Sequence, residues 1–123
     1  MHEFSLALGL VERLKELAQK HKAKQIDKVY IKWGKLSGVV IDSFIFSFNL
    51  IKEEYPILKN CEIVVNEEPI TYKCLNCNFV FEKEDFKFPK CPKCDSIQVK
   101  QIKGDAFLIE KVEMEVDDEN KKR

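Results

Sequence analysis

The pairs Cys74-Leu-Asn-Cys77 and Cys91-Pro-Lys-Cys94 decide the architecture of the second half of this chain. Residues 78–90 separate the two C-x2-C pairs, a spacing at which two tight turns bring four thiolates around one ion. Zinc suits such a set because it accepts four soft ligands in a tetrahedron. Cysteine fills all four positions, so none is left open for water or substrate. The motif therefore predicts a structural zinc ribbon ligated by Cys74, Cys77, Cys91 and Cys94.

Two other states of these cysteines stay open at the level of sequence. The four thiols could form two disulfides, or they could hold iron in a rubredoxin-like electron-transfer site. The fifth cysteine, Cys61, would be left unpaired in an oxidising compartment, and no apolar signal segment follows a basic start. We therefore expect a reducing, cytoplasmic location. Asn78 and Asp95 replace the glycine that rubredoxins carry after each pair, which weakens the iron interpretation.

The charge of the chain argues against nucleic acid and membrane partners. Its 123 residues include 21 basic and 21 acidic side chains, which cancel. No apolar run approaches the roughly 20 residues that cross a bilayer. A zinc-ribbon nucleic-acid or transcription adaptor is the alternative function, since ribbons often serve that class. Residues 70–104 carry seven Lys and four acidic residues, a formal +3. Zn²⁺ with four thiolates adds −2, which leaves a net charge of about +1. Such a charge attracts the phosphates of nucleic acid only weakly.

Apolar spacing predicts the elements on both sides of the ribbon. Intervals of three and four residues indicate amphipathic helices, and alternation indicates half-buried strands. In chain order the predicted elements are a helix from Glu3 to about Lys20, a strand from Ile26 to Trp33, a helix from Asp42 as N-cap to Tyr55 with its end fixed by Pro56, a strand holding Cys61, Ile63 and Val65, and a strand from about Phe107 to Val116. The predicted fold class is α+β, a small three-stranded sheet with two helices plus an inserted zinc-ribbon module.

The domain limits follow from where the ribbon interrupts this unit. Residues 1–69 and 105–117 are predicted to form an α/β domain, residues 70–104 the zinc-ribbon domain, and residues 118–123 a disordered tail. The ribbon is too small for a full core, so metal should be needed for it to fold. Its predicted strands are Ile70–Lys73, Phe79–Glu82 and Ile97–Lys103, with Phe79, Phe81, Phe86 and Phe88 packed around the site.

His2 lies where a terminal amine, the first backbone amides and an imidazole can reach one metal ion. Nickel and copper bind such nitrogen-rich sets in a square plane, displacing amide protons. The alternative from spacing alone is that His2 is a frayed terminal residue. His21 lies roughly 27 Å beyond Glu3 along a helix of 1.5 Å rise, so it cannot join His2 within one chain. It is interpreted as a cation near a helix C-terminus.

Met1-His2-Glu3, followed at once by an amphipathic helix, the turn Gly34-Lys-Leu-Ser-Gly38 and the late cysteine pairs, closely resembles the HypA (HypA/HybF) family of hydrogenase maturation nickel metallochaperones. The resemblance covers essentially the whole chain. It implies a carrier of Ni²⁺ rather than an enzyme, and it makes 1–69 with 105–117 the nickel-binding domain. Some members complete nickel with a histidine from the zinc module, but this chain has none between 22 and 123. The implied ligands are Met1, His2 and Glu3 for nickel, and Cys74, Cys77, Cys91 and Cys94 for structural zinc (Zn²⁺).

The resemblance also implies partners. They are a HypB-type nickel GTPase, the large subunit of a nickel-iron hydrogenase and, in some organisms, urease maturation proteins. No nucleic acid and no membrane is expected among them. The oligomeric state stays open, with a homodimer as one option.

Overall fold

The computed structural model describes residues 2–85 and 87–117. Within these ranges it contains two α-helices and two three-stranded sheets, so the predicted α+β fold class with an added ribbon module is confirmed. The helices and strands are α1 (His2–His21), β1 (Ala23–Gly34), α2 (Ile41–Ile51), β2 (Glu62–Glu68), β3 (Ile70–Cys74), β4 (Val80–Lys83), β5 (Val99–Lys103) and β6 (Phe107–Val116).

Helix α1 forms as its apolar spacing predicts. Its buried face carries Ala7, Leu10, Val11, Leu14 and Ala18, which recur every three or four residues. Glu3 in the first turn and His21 in the last turn suit the two ends of the helix dipole. The chain leaves the helix through Lys22, which adopts a left-handed conformation with φ 55° before β1 begins.

Helix α2 departs from the prediction at both ends. Val40, not Asp42, is the N-cap residue, and its carbonyl accepts the first helical hydrogen bond from Phe44 N–H at 3.0 Å. Asp42 lies within the first turn. The helix ends at Ile51 rather than at Tyr55, because a short 3₁₀ turn over Lys52–Glu54 follows.

Pro56 begins a further 3₁₀ turn. It forces extended backbone on Tyr55, as expected for a residue before proline, which closes the whole helical stretch.

The first sheet has the strand order β2-β1-β6, with β1 in the middle. Helices α1 and α2 contact each other. The interior of this part of the chain is apolar, and its fully buried side chains include Val11, Leu14, Ile26, Val29, Phe44, Phe48, Leu58 and Cys61.

The second sheet is the ribbon, with order β4-β3-β5 and both neighbours antiparallel to β3. Its small core consists of Ile70, Tyr72, Phe81 and the two inner cysteines, Cys74 and Cys91, with Leu36 and Val99 packed against them. The ring of Phe81 stacks on Tyr72 at 5.7 Å and on Phe79 at 6.3 Å between centroids.

The prediction that Phe88 packs around the metal site is wrong. Its side chain is 93% exposed. Its backbone has φ 44° in a bend before Pro89. Phe86, the remaining member of the predicted aromatic set, lies outside the described residues.

The chain divides into two compact units. Among the described residues, the first comprises 2–31, 39–65 and 109–117, and the second comprises 32–38, 66–85 and 87–108. The four paired cysteines all lie in the second unit. The predicted domain limits stay a prediction, and the predicted tail, 118–123, lies outside the described residues. Across the described ranges, no helix has the length and apolarity needed to span a bilayer.

Candidate metal centres

The four cysteines of the two pairs converge in the structure. Their Sγ atoms all lie within 4.8 Å of one another. Cys74 and Cys91 are fully buried, whereas Cys77 and Cys94 face solvent. Each pair thus contributes one inner and one outer sulfur to the cluster.

Each pair sits in a tight turn, and the two turns have the same hydrogen bonds. Asn78 N–H donates to the Cys74 carbonyl at 2.9 Å, and Asp95 N–H donates to the Cys91 carbonyl at 2.9 Å. Both donors have left-handed backbone, with φ 65° and 64°. Asn and Asp tolerate this conformation better than most residues, so they close turns in which glycine is otherwise common. The absence of glycine at these two positions therefore says little about which metal binds.

The sulfur geometry fits tetrahedral zinc. A Zn–S distance of about 2.3 Å in a tetrahedron places neighbouring sulfurs about 3.8 Å apart. The Cys74–Cys94 and Cys77–Cys91 sulfurs are 3.6 and 3.7 Å apart. Four thiolates complete the coordination shell, so the cluster fits a structural site rather than a catalytic one.

Backbone N–H groups surround the sulfurs. Cys74 Sγ accepts from Asn76 N–H at 3.3 Å and Cys77 N–H at 3.4 Å, and Cys91 Sγ accepts from Lys93 N–H at 3.4 Å. These donors stabilise negative charge on sulfur. They match the needs of a metal-bound thiolate.

Asn76 also crosses between the two pairs. Its side-chain Nδ2 donates to Cys94 Sγ at 3.6 Å, and this bond is the main cause that lowers the pKa of Cys94 to about 6. The Phe79 backbone lowers the pKa of Cys77, but desolvation and hydrogen bonds from the neighbouring thiols outweigh it and raise that pKa to about 11. The cysteine pattern alone does not single out Asn76, although its place inside the first C-x2-C pair is a signal for such a role.

All five cysteines carry free thiols in the structure, so the two-disulfide alternative is wrong. Cys61, predicted to lie within the second strand, instead lies just before β2, and it is fully buried. Burial raises the pKa of its thiol to about 11. Cys61 is therefore a core residue with an unreactive thiol.

The predicted nickel residues lie at the start of α1. His2 is exposed and is the first residue of the helix, and Glu3 lies in the first turn. Met1, the third residue of the prediction, lies outside the described residues. The Glu3 carboxylate accepts a hydrogen bond from the backbone N–H of Val40 at 3.0 Å. No local sequence signal indicates this contact, because it joins α1 to the start of a different helix.

Known proteins match this chain over most of its length. The sequence model of a family described as "Hydrogenase/urease nickel incorporation, metallochaperone, hypA" matches residues 1–114. The chain belongs to the HypA family. The matched residues include both the Met-His-Glu start and all four paired cysteines.

Individual relatives agree with the family match. A hydrogenase maturation factor HypA of Campylobacter jejuni is 36% identical over 114 residues, covering 93% of this chain and 99% of the relative. A hydrogenase maturation factor HypA of Caldanaerobacter subterraneus is 38% identical over 116 residues, covering 94% of this chain and 100% of the relative. The solution structure of the Ni metallochaperone HypA from Helicobacter pylori is similar with a TM-score of 0.63 and 25% identity, covering 94% of this chain and 98% of that one.

Proposed function

We propose that this chain is a nickel metallochaperone that binds Ni²⁺ at Met1, His2 and Glu3 and delivers it during maturation of a nickel-iron hydrogenase. Zn²⁺ held by the four paired cysteines keeps the ribbon folded. The observation that carries this proposal is the family match over residues 1–114, which spans the proposed nickel residues and the zinc cluster together.

The start of α1 has suitable nitrogen donors. The first four N–H groups of an α-helix have no acceptor within the helix. The amides of His2 and Glu3 belong to this group, and the His2 imidazole is exposed beside them. Nickel prefers nitrogen donors in a square plane, and the imidazole with successive backbone nitrogens of Met1, His2 and Glu3 supplies them.

Binding through backbone nitrogen makes the site reversible. As each Ni–N(amide) bond forms, the amide proton leaves to solvent, so nickel uptake releases protons and weakens as pH falls. A carrier needs such a site because it must surrender its cargo. The zinc cluster is the opposite case, with four thiolates and no open position.

The chain has no histidine between 22 and 123, so the ribbon cannot contribute an imidazole to nickel. Any further nickel ligand within the chain must then come from backbone, carboxylate or sulfur. This separates the two metals chemically: nitrogen at the helix start for nickel, sulfur in the ribbon for zinc.

The proposed partners are a HypB-type nickel GTPase, the hydrogenase large subunit and, where urease is present, urease maturation proteins. The names of the relatives support hydrogenase maturation, and the family description adds urease. The chain acts on metal by transfer and not by catalysis. We place it in the cytoplasm, where a reducing environment keeps its cysteines as thiols.

A pair of histidine variants tests the proposal. The chain has two histidines, and they lie at opposite ends of α1. His2→Ala should abolish stoichiometric nickel binding in a titration with nickel sulfate, while zinc content by mass spectrometry and thermal stability without nickel stay unchanged. His21→Ala, the matched control, should bind nickel as the parent does. Full nickel binding by His2→Ala would move the site elsewhere and defeat the proposal.

A further inference from the structure

The end of α1 lines an open groove within the first compact unit. The segment 55–57, which follows α2, lines the same groove. Its volume is about 540 Å³, within the range of roughly 300–1,000 Å³ that is usual for ligand sites. Ala18 and Ala23 are also in the lining, and their small side chains leave the space open. We name it the lysine groove, because Lys15, Lys22 and Lys24 line it.

The lysine groove has an excess of positive charge. Among the described residues, its lining contains these three lysines and one carboxylate, that of Asp117, so the net charge of the lining is +2. Within the same part of the chain, neither Lys22 nor Lys24 forms an ion pair. The chain as a whole is neutral. The groove therefore attracts carboxylates by a local concentration of charge that the whole protein lacks.

The dipole of α1 does not account for these lysines. Cations are favoured near the C-terminus of a helix, and Lys20 and His21 in the last turn meet that need. Lys15 lies more than one turn before the helix ends, and Lys24 lies in β1. Their side chains nevertheless line one groove. The cluster therefore fits a ligand better than it fits the end of the helix.

Lys22 occupies its position at a cost to the backbone. Its φ of 55° is left-handed, and it follows directly after the last residue of α1, where glycine is the usual residue. A left-handed conformation costs more free energy for a residue with a side chain than for glycine. The backbone alone thus favours glycine here, whereas the charge of the groove depends on lysine.

The remainder of the lining suits apolar groups. Lys15 Nζ lies 4.9 Å from the centroid of the Tyr55 ring, which places a cation beside an aromatic surface, and Ile57 lies in the same lining. The last carbonyls of a helix carry partial negative charge and repel a compact anion such as phosphate. A longer ligand can place its carboxylates at the ends of the lysine side chains and its apolar groups against the tyrosine ring.

We propose that the lysine groove binds an acidic segment of a partner protein, in which carboxylates alternate with apolar side chains. The carboxylates pair with the three ammonium groups, and the apolar side chains pack against Tyr55 and Ile57. The groove lies about 30 Å along α1 from His2, at a rise of 1.5 Å per residue, so a partner bound there leaves the start of α1 open. The groove does not depend on the proposed nickel site.

A synthetic peptide is the probe. It is a fluorescein-labelled heptapeptide that alternates aspartate with leucine, and its control carries asparagine in place of every aspartate. Both are titrated at low salt into zinc-loaded full-length protein, with fluorescence anisotropy for affinity and amide chemical shifts for location. The acidic peptide should bind about tenfold more tightly than its control and weaken as salt rises. It should shift the amide signals of Gln19, Lys22, Lys24 and Ile57.

Two double variants remove two charges each. Lys22→Gly with Lys24→Gln removes ammonium groups that line the groove, and glycine suits φ 55°, so this variant should stay folded. Lys20→Gln with Lys59→Gln removes two exposed lysines outside the lining. The dissociation constant of the acidic peptide should rise about tenfold in the first variant and less than about twofold in the second. His2→Ala should bind the peptide as the parent does, which separates this test from that of the nickel site.

Other outcomes would overturn the proposal. Equal weakening in the two double variants would mean that the peptide responds to net charge and not to the groove. Inorganic phosphate that displaces the peptide and shifts the same amide signals would make the groove a site for small anions. The residues 118–123 include Asp118 and Glu119. If their removal shifts the groove signals while the peptide binds neither form of the protein, the occupant is the chain's own acidic segment and not a partner.

Discussion

Gly34 lies against the backbone of Gly104, with no room between them for a side chain. A Cβ added to Gly34 would overlap the carbonyl group of Gly104 and lie 2.9 Å from the amide nitrogen of Asp105. Two hydrogen bonds hold this approach: Gly34 N–H donates to the Ala106 carbonyl and Leu36 N–H to the Gly104 carbonyl, each at 2.8 Å. The segment that leaves the ribbon is thereby fixed to the turn after β1.

Gly34→Ala should therefore destabilise the zinc-loaded protein by about 1–3 kcal/mol, because the backbone must separate to admit the methyl group. Gly9→Ala is the matched control. Gly9 lies within α1, where an added methyl group would meet nothing within 4 Å, so alanine there should stabilise by about 0.5–1 kcal/mol through helix propensity. Denaturant unfolding measures both. Equal effects of the two substitutions would mean that the close contact between Gly34 and Gly104 does not affect the free energy of unfolding.

Glu68 should stabilise the segment that leaves the ribbon by accepting hydrogen bonds from its backbone. Its Oε1 accepts from Gly104 N–H at 2.7 Å and from Ala106 N–H at 3.3 Å. Glu68→Ala leaves both donors without this acceptor, so their amide exchange should accelerate and stability should fall by about 1–2 kcal/mol. Glu67→Ala serves as control, since Glu67 makes a surface ion pair with Lys35 at 3.9 Å, worth under about 1 kcal/mol. If the Gly104 amide stays protected from hydrogen exchange in Glu68→Ala, Glu68 does not stabilise this segment.

Local signals predicted most of the fold. The three- and four-residue spacing of apolar residues found α1 to within two residues, and alternation found β1 in its interior. The cysteine spacing found the ribbon because four ligands on two turns leave few geometries. The start of α2 was mispredicted because Asp42 matched a local cap, whereas the observed partner at Val40 comes from Glu3 on the other helix.

In the zinc site, the metal ligands were predictable from the sequence, but the contacts around them were not. Residue type and spacing named the four cysteines, which the structure brings within 4.8 Å. They did not reveal the hydrogen bond from Asn76 to Cys94, because it depends on how the two turns face each other. Phe88 was mispredicted for a physical reason too: with metal at its centre, the ribbon needs few aromatic residues inside, and Tyr72 with Phe81 already fills its core.

Replacing Asn76 with Ala should speed zinc release. The substitution removes the Nδ2 donor to Cys94 Sγ but keeps the backbone N–H bond to Cys74 Sγ. Transfer of zinc to a chromogenic chelator should become about tenfold faster. Lys93→Ala is the control at the equivalent place in the second pair, where a backbone N–H also donates to sulfur. The role assigned to the Asn76 side chain fails if both variants release zinc at the same rate.

The Tyr30 hydroxyl should keep the pKa of Glu113 low. The Tyr30 hydroxyl donates to Glu113 Oε2 at 3.0 Å and is the main cause of the lowered pKa of Glu113. A lowered pKa adds stability above the unfolded value of about 4.3, and that stability is lost as pH falls through the folded pKa. In Tyr30→Phe, the pKa of Glu113 should rise toward its ordinary value in a carboxyl ¹³C titration. Tyr55→Phe should leave it unchanged, and a Glu113 curve insensitive to Tyr30 would refute the assignment.

Cys61 should be the slowest of the five thiols to react. It is fully buried, so a reagent has no access to its sulfur, and burial also raises the pKa of its thiol to about 11. Cys77 and Cys94 face solvent. When a chelator removes zinc at pH 8, iodoacetamide should modify four cysteines quickly and leave Cys61 intact, because Cys61 belongs to the apolar interior of the first unit and not to the metal cluster.

Mass spectrometry after proteolysis identifies the modified residues, and denaturant supplies the control, in which all five cysteines should react at similar rates. In Cys61→Ala the chelated protein should show four fast thiols and no slow one, with stability lowered by about 1 kcal/mol for the lost sulfur contacts. The result also measures how far the α/β core depends on zinc. Modification of Cys61 at the rate of the ribbon cysteines after chelation would show that loss of the metal unfolds both units together.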